Sequence, residues 1–419
     1  MEIQVNQTKI RCFCLLVLTL FGFLFSACSK QQLSEGQQVS VTKTATLQPT
    51  QTDLPPALTN TPPATPELQP VIDVTVKYAN DMEDLPEITG KLAISIRGLS
   101  HLAYLHDLTT NEQIFLGDPD WDYSLINSIS PDCGNLVLQD NNQQIYLVDS
   151  NGFITKQLKR ASPTSGVFGW LDNDRLILFD DWIEGNSTKP KLTIMMNIHS
   201  NEIVILEPLY PDLGALEFNW GISGLTIYHP QIPLVVYPAL KNGQSSIIIF
   251  DREKQQVLTE FPAIIGETHT PKWSPDGKYL LLAGVLNSID PGKDEDIYLF
   301  DTSGSVVFKT HFRNHSPREQ FEKFSWSPNS QKIAFWIGGS EPIDQLAILD
   351  VNSGIVTQYN LFAHSGWSGP PIWSPDSQFV AIHQAMDYDD SKITLLYLDT
   401  GIAYDFETDS DLVLGGWIN

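Results

Sequence analysis

The chain has 419 residues, of which 42% are hydrophobic and 10% aromatic, and its 50 acidic against 25 basic residues give a formal net charge of −25. So acidic a chain is not expected to bind nucleic acid, because the phosphate backbone requires a basic face. Of four cysteines, only Cys133 lies in the body of the chain, so the sequence predicts no disulfide framework and a fold stabilised by its apolar core.

The N-terminal segment has the pattern of a secretory signal. Two basic residues precede an apolar run over residues 12–25, and two small residues then precede Cys28. The run is shorter than the roughly 20 residues that span a bilayer. The pattern resembles a bacterial lipoprotein signal, although Phe25 stands where that family usually has Leu. This resemblance implies cleavage after residues 1–27 and lipidation of Cys28, which would anchor the chain to the cell membrane or outer membrane.

Residues 28–75 have a different composition, dominated by Thr, Pro and Gln. Few large apolar side chains are present to offset the entropy of ordering, so this segment is predicted to be a disordered stalk. A semi-extended Pro-rich segment rises about 3.1 Å per residue, so the stalk could hold a domain on the order of 100 Å from a membrane.

Past the stalk, a short motif recurs. Trp273-Ser274-Pro275-Asp276 returns as Trp326-Ser327-Pro328-Asn329 and as Trp373-Ser374-Pro375-Asp376. A period of about 40–50 residues is typical of a repeat architecture. Between residues 129 and 417, six intervals over 288 residues give a mean period of 48. Further units align with their large residue at Ile129, Trp170, Tyr228 and Trp417.

Each unit has the same internal order. An apolar segment ends in the large residue, a Ser-Pro-Asp turn follows, a strongly apolar second strand comes next, and a third strand ends in Asp before a fourth. Four antiparallel strands at this period predict a β-propeller blade. The first unit lacks a first strand, whereas residues 412–417 form a first strand with nothing after it. The sequence therefore predicts an all-β, seven-bladed β-propeller of four-stranded antiparallel blades, with the ring closed by the C-terminal strand.

These repeats resemble a known family. The motif Trp273-Ser274-Pro275-Asp276-Gly277-Lys278, an apolar strand, and then a third strand ending in Asp and a Gly turn are similar to the TolB-type (WD-like) propeller repeat. The resemblance covers residues 85–419, which are assigned to one propeller domain. TolB itself carries an α/β domain before its propeller, whereas this chain has the lipoprotein-like signal and the stalk.

The candidate binding face follows from loop lengths. Connections between second and third strands, and between blades, vary in length and emerge on one face of the ring, where insertions often mark the binding side. This face is acidic with scattered aromatics, which suits a cationic protein segment or a saccharide. The candidate binding-face residues are Trp121, Trp182, Trp220, Asp294, Asp296, Trp367 and Asp389.

No catalytic residue, metal site or cofactor is predicted, because the nine histidines form no evident triad or metal cluster. Alternating carboxylates at 118–122 and 407–411 leave calcium binding open. The expected function is that of a monomeric, lipid-anchored, extracytoplasmic propeller that acts as a non-catalytic scaffold for another protein or an envelope component. The alternative is a saccharide-binding or polysaccharide-processing propeller at the cell envelope.

Overall fold

The structure is a computed structural model. It describes residues 71–78, 88–96, 99–116, 128–140, 142, 144–159, 165–180, 192–206, 227–241, 244–264, 271–286, 296–310, 324–338, 343–364, 369–385, 391–406 and 412–419. Within these ranges the chain forms 28 strands. A helix long and apolar enough to cross a membrane is absent from the same ranges.

Seven small antiparallel blades form a ring, as the sequence predicts. Pairing of Ala263 and Ile264 with Leu286 and Val285 joins two neighbouring blades into one eight-stranded sheet. Blade 1 consists of β28 (Leu412–Ile418), β2 (Lys91–Ile96), β3 (Leu99–Asp107) and β4 (Gln113–Phe115). Blade 2 begins with a bridge between Ile129 and Leu136 and continues through β5 (Leu136–Gln139), β6 (Ile145–Val148) and β7 (Ile154–Gln157). Blade 3 consists of β8 (Ser165–Trp170), β9 (Arg175–Asp180), β10 (Leu192–Asn197) and β11 (Ile203–Leu206).

The remaining four blades follow in chain order. Blade 4 is β12 (Ile227–Tyr228), β13 (Leu234–Lys241), β14 (Gln244–Asp251) and β15 (Gln256–Ile264). Blade 5 is β16 (Lys272–Trp273), β17 (Tyr279–Leu286), β18 (Asp296–Asp301) and β19 (Val306–Lys309). Blade 6 is β20 (Ser325–Trp326), β21 (Lys332–Gly338), β22 (Ile343–Asp350) and β23 (Ile355–His364). Blade 7 is β24 (Ile372–Trp373), β25 (Phe379–Ala385), β26 (Ser391–Tyr397) and β27 (Ile402–Phe406).

The C-terminal strand closes the ring. β28 pairs antiparallel with β2, with Leu92 opposite Trp417. Trp417 is 1% exposed and its indole Nε1 donates to the carbonyl of Thr89 at 3.1 Å. The predicted closure of the ring is therefore confirmed.

The core lies between blades. In β21, Ile333 and Phe335 pack in the cluster shared with blade 5, whereas Ala334 and Trp336 pack in the cluster shared with blade 7. Because both faces of a blade are covered, its second strand is apolar at consecutive positions rather than at alternate ones. This explains the continuous apolar runs that mark the second strands in the sequence.

The Ser-Pro-Asp turns join first strands to second strands. In blade 5, Gly277 N donates to Ser274 O at 2.8 Å, and Ser274 Oγ donates to Asp276 Oδ1 at 2.7 Å while accepting from Tyr279 N at 3.0 Å. Gly277 has a φ of 72°, which only glycine adopts without strain. Cys133, Ser330 and Ser377, at the same position in blades 2, 6 and 7, take the same left-handed conformation, with φ of 60°, 60° and 63°.

An additional strand lies outside blade 7. β1 (Thr75–Tyr78) pairs with β27 in parallel and so makes a five-stranded sheet. Just before it, Ile72 forms a parallel bridge with Tyr359 of β23. This strand was not predicted from the sequence, because its short stretch of β-branched residues lies outside the repeat pattern.

Candidate functional site

Most of the predicted binding-face residues, and Cys28, lie outside the described residues. This applies to Trp121, Trp182, Trp220, Asp294, Trp367 and Asp389. Asp296 is described, and it is the first residue of β18, where blade 5 meets the connection over residues 287–295.

Asp296 is held within its own blade. Its side chain is largely buried, its Oδ1 accepts from Thr310 Oγ1 at 3.1 Å, and its Oδ2 forms an ion pair with Lys309 Nζ at 3.1 Å. Lys309 also lies over the ring of Tyr298, 5.1 Å from its centroid. Burial opposes the charge on Lys309, but hydrogen bonds to Asp296 and Tyr298 outweigh burial and raise the pKa of the lysine. Asp296 therefore supports the start of a strand beneath the candidate face.

Blade 7 has a similar buried polar group at the same end. Lys392 Nζ lies 2.5 Å from Asp405 Oδ2, and Thr394 Oγ1 lies 2.6 Å from both Asp405 Oδ1 and Gln384 Oε1. Gln384 Nε2 donates to the carbonyl of Phe362 in blade 6 at 2.6 Å. The network thus joins the loop-bearing ends of blades 6 and 7.

Blade 2 places Asp140 in an equivalent position, where β5 ends. The backbone N–H groups of Asn142 and Gln144 each donate to Asp140 Oδ1 at 2.8 Å, and the Tyr146 hydroxyl donates to Oδ2 at 3.2 Å. In blade 6, Asp344 is the second residue of the third strand and is 1% exposed. Beneath the candidate face, the buried core is therefore polar at Asp140, Asp296, Asp344, Gln384, Thr394 and Asp405.

Sequence reasoning missed all of this layer except Asp296. Asp344 and Asp405 each lie inside an otherwise apolar strand, and a charged residue in a buried strand is uncommon unless it is paired. That interruption of an apolar run was the available signal. It was missed because the repeat alignment identifies variable loops and the acidic residues that end third strands, but not acidic residues inside strands.

The opposite face is formed by the Ser-Pro-Asp turns, and hydrogen bonds link each turn to the next. Backbone and side-chain donors join blades 1 to 2, 2 to 3, and so on up to blade 7. A hydrogen bond at each of these six junctions joins Asn419 N to Cys133 O, Asp132 N to Asn173 Oδ1, Arg175 Nη2 to Pro230 O, His229 Nε2 to Gly277 O, Asp276 N to Ser330 Oγ, and Asn329 N to Ser377 Oγ.

The link at His229 defines the tautomer of its imidazole. Nδ1 accepts from the backbone N–H groups of Gln231 and Ile232 at 2.9 and 3.1 Å, so the ring hydrogen lies on Nε2. Nε2 donates to Gly277 O at 2.7 Å, and the ring packs against Trp273 with centroids 4.4 Å apart. Burial lowers the pKa of His229, and the hydrogen bond to Gly277 and the charge of Asp276 only partly oppose this. The neutral ring therefore stabilises the contact between blades 4 and 5.

The repeated tryptophans connect the first strands of neighbouring blades. Three of the indole Nε1 groups donate to a backbone carbonyl one blade earlier: Trp170 to Ser128 at 3.1 Å, Trp326 to Lys272 at 3.3 Å, and Trp373 to Ser325 at 3.1 Å. The buried Nε1 of Trp273 has no hydrogen-bond partner. Side chains at the position before the tryptophan donate in the other direction, as in Lys272 Nζ to Phe324 O and Ser325 Oγ to Pro371 O. These links give the recurring tryptophans a structural role between blades.

Two groups have the chemistry of a nucleophile and are held in structural positions. Burial lowers the pKa of Lys272 to about 8, and its Nζ is occupied by the carbonyl of Phe324. Burial raises the pKa of the Cys133 thiol to about 12, which disfavours the reactive thiolate. Within the described ranges, no three His, Cys, Asp or Glu side chains come together as a metal-binding group. The two stretches of alternating carboxylates, 118–122 and 407–411, lie outside those ranges.

No protein-family model matches this sequence, and no curated protein matches it. Among solved structures, TolB from Acinetobacter baumannii is similar at 17% identity, with a TM-score of 0.42 and coverage of 75% of this chain and 79% of that chain. A eukaryotic initiation factor is similar at 15% identity, with a TM-score of 0.46 and coverage of 79% and 98%. An oligogalacturonate lyase in complex with manganese is similar at 14% identity, with a TM-score of 0.43 and coverage of 70% and 82%. These similarities are at the level of the fold.

Proposed function

We propose that this protein is an extracytoplasmic, lipid-anchored propeller that serves as a non-catalytic interaction scaffold and binds another protein through the loop-bearing face. A lipid on Cys28 would hold it at a membrane, and the segment over residues 28–75 would act as the stalk. The observation that carries the proposal is the contrast between the two faces of the ring.

The turn face has little capacity for a variable ligand. Its backbone and side-chain groups make hydrogen bonds across six junctions between blades, and a Ser hydroxyl donates to an Asp or Asn two residues later in the turns of blades 2, 5, 6 and 7. A residue that changed to suit a ligand there would lose an inter-blade contact, at a cost of about 1 kcal/mol or more. This favours the opposite face, where the connections differ between blades.

The buried polar layer supports the same choice of face. Carboxylates at Asp140, Asp296 and Asp405 fix backbone or side-chain groups at the points where variable connections enter or leave the blades. A rigid base lets loops present a defined surface, because less conformational entropy is lost on binding. The arrangement therefore suits a docking surface.

The class of partner follows from charge. The chain carries a formal net charge of −25, and the connection over residues 287–295 is itself acidic. An acidic face attracts a basic partner over several ångströms and accelerates its encounter, in a salt-dependent way. We therefore propose a protein segment rich in Lys or Arg as the partner.

A capture experiment tests the binding face. Full-length protein carrying Asp294→Asn and Asp389→Asn is compared with wild type as bait in solubilised envelope extract, and Glu253→Gln in an exposed turn serves as the matched control. We expect wild type and the control to retain a basic protein that the double variant loses by tenfold or more, and that about 0.5 M salt releases. Equal capture by all three baits would overturn this face as the docking surface. Tryptophan fluorescence that responds to an oligosaccharide instead would favour the alternative, saccharide-binding function.

The anchor is tested separately with Cys28→Ser. Wild-type protein should sediment with membranes and incorporate a labelled fatty acid, whereas the variant should do neither, because Cys28 is the residue that carries the proposed lipid. Membrane sedimentation of Cys28→Ser would contradict the lipid anchor without affecting the proposed binding face.

A further inference from the structure

Residues 71–78, here called the strap, lie across the outer strands of two blades. At blade 6, Ile72 N donates to Gln358 O at 2.8 Å and Asn360 N donates to Ile72 O at 3.2 Å. At blade 7, β1 continues in parallel beside β27, from Thr75 opposite Ile402 to the last residue of β1. The strap therefore holds two neighbouring blades together at the rim of the ring.

One side chain fastens the crossing between the two blades. Asn360 Oδ1 accepts from Val74 N at 2.6 Å, and Asn360 Nδ2 donates to Asp73 Oδ1 at 3.4 Å. Together with its backbone N–H, Asn360 thus makes three contacts to the strap. Substitution of this residue can loosen the strap without altering the strap's own sequence.

The strap is held by backbone hydrogen bonds rather than by burial. Val71, Ile72 and Val76 are 45%, 40% and 44% exposed, and Val74 packs only partly buried against the cluster between blades 6 and 7. The strand beneath it is different, since Ala403 and the two residues that follow it are buried. A segment with few buried apolar contacts opens locally at a much lower free energy than the core.

We propose that the strap is a releasable strand, which detaches and re-forms while the seven blades remain intact. Its release would uncover the hydrogen-bonding edge of β27 and make that edge available to an extended segment. Because the strap begins in the last residues of the proposed stalk, tension on the anchor would act on it first. That last step rests on the proposed function, whereas release itself does not.

Hydrogen exchange followed by mass spectrometry tests the release in the full-length protein. We expect strap amides, together with the β27 amides that they cover, to exchange at least a hundredfold faster than amides of β21. Asn360→Asp places a carboxylate beside Asp73 and should accelerate strap exchange a further tenfold, with β21 unchanged. Thr155→Ala, on the outer strand of blade 2, is the matched control and should leave the strap unchanged.

Two results would overturn the proposal. One is strap exchange at the rate of β21 in the wild type, and the other is equal acceleration of the strap and β21 in Asn360→Asp, since both would mean that the strap opens only with the whole ring.

A synthetic peptide of residues 71–78 provides a second measurement. It should bind a variant that lacks this segment and show at least tenfold weaker binding to wild type, whereas no binding to the variant would contradict an accepting edge. Strap exchange should be equally fast in wild type and in Cys28→Ser, because release does not require the lipid. Failure of the lipid anchor and failure of strap release are therefore distinguishable.

Discussion

The inner and outer strands of the blades are stabilised in different ways. The first strands are only two residues long in blades 4 to 7, yet the tryptophans Trp273, Trp326 and Trp373 are at most 9% exposed, and the last two donate a hydrogen bond to the preceding blade. The outermost strands and the turns that lead into them expose apolar side chains, including Phe115 at 63% and Phe153 at 70%. The short inner strands are thus stabilised by buried tryptophans, whereas the outer strands leave apolar side chains exposed to solvent.

This difference follows from the geometry of a ring. Near the axis, each blade contacts both neighbours closely, so a single large side chain fills the gap between two strands. At the rim, the blades diverge, and most outer strands have only one strand beside them, with β15 and β27 as exceptions. Stability is therefore expected to depend on inner positions, whereas the rim is where strands can be added, as β1 shows.

The largest effect is expected from removal of the closing strand. Deletion of residues 412–419 removes Leu412, Trp417 and Ile418 from the core, each 2% exposed or less. Burial of such side chains contributes roughly 2–3 kcal/mol each, so the loss approaches the 5–15 kcal/mol that stabilises a typical domain. Thermal unfolding should shift downward by more than about 10 °C or lose cooperativity.

Deletion of residues 29–70 is the control for that experiment, because it retains Cys28 and the strap. Its melting temperature should match that of wild type. Unchanged melting of the protein that lacks residues 412–419 would contradict closure of the ring by β28.

A second prediction compares an inner with an outer aromatic residue. Trp373→Ala removes a buried ring and its hydrogen bond to Ser325, so it should lower the free energy of unfolding by about 3–5 kcal/mol. Phe153→Ala, at the rim, should change it by less than about 0.5 kcal/mol. Denaturant titration measures both, and similar losses at the two positions would refute the distinction between centre and rim.

The smallest effect concerns pH. Because burial lowers the pKa of His229, the unfolded chain takes up the proton first as the pH falls below about 6.5. The stability that His229 contributes is complete above that pH and is lost as the pH falls towards the pKa of the folded protein. The facing groups are the carboxylate of Asp276, which partly opposes the shift, and the ring of Trp273, which carries no charge.

Substitution isolates this contribution from other titrating groups. His229→Asn should cost about 1–2 kcal/mol near pH 7.5, because the hydrogen bond to Gly277 O is lost. The difference between variant and wild type should narrow near pH 5. If the difference in the free energy of unfolding between variant and wild type stayed constant from pH 7.5 to pH 5, protonation of His229 would not contribute to the loss of stability in acid.

The repeat made the propeller predictable. A turn with Ser, Pro and Asp in fixed order, flanked by a large aromatic and an apolar strand, requires the same local hydrogen bonds wherever it occurs, as in the turn that begins at Ser274. Counting the units also revealed that the first lacked a strand that the C-terminus could supply. Both inferences use local, repeated information, which is present in the sequence itself.

The candidate site was less accessible from the sequence. Asp296 was selected as a loop acid, yet its carboxylate is buried against Lys309 and Thr310, since its position at the start of β18 turns it into the blade. Asp405 was not selected, although it connects with Lys392 and Thr394 beneath the same face. Whether an acid points into a blade or towards solvent depends on strand register and on the neighbouring blade, and neither is encoded within one repeat unit.

The sequence by itself determined the number of blades, the turns between their first two strands and the role of the C-terminal strand, because each of these depends on short-range pattern and counting. Only the tertiary structure decided which polar groups are buried in the blades, how His229 joins two turns, and that residues 75–78 add a strand to blade 7. The last two features bring together residues that are 48 positions apart in one case and more than 300 in the other. Such contacts leave no periodic signal in the chain, since they are made once and are selected by packing in the closed ring.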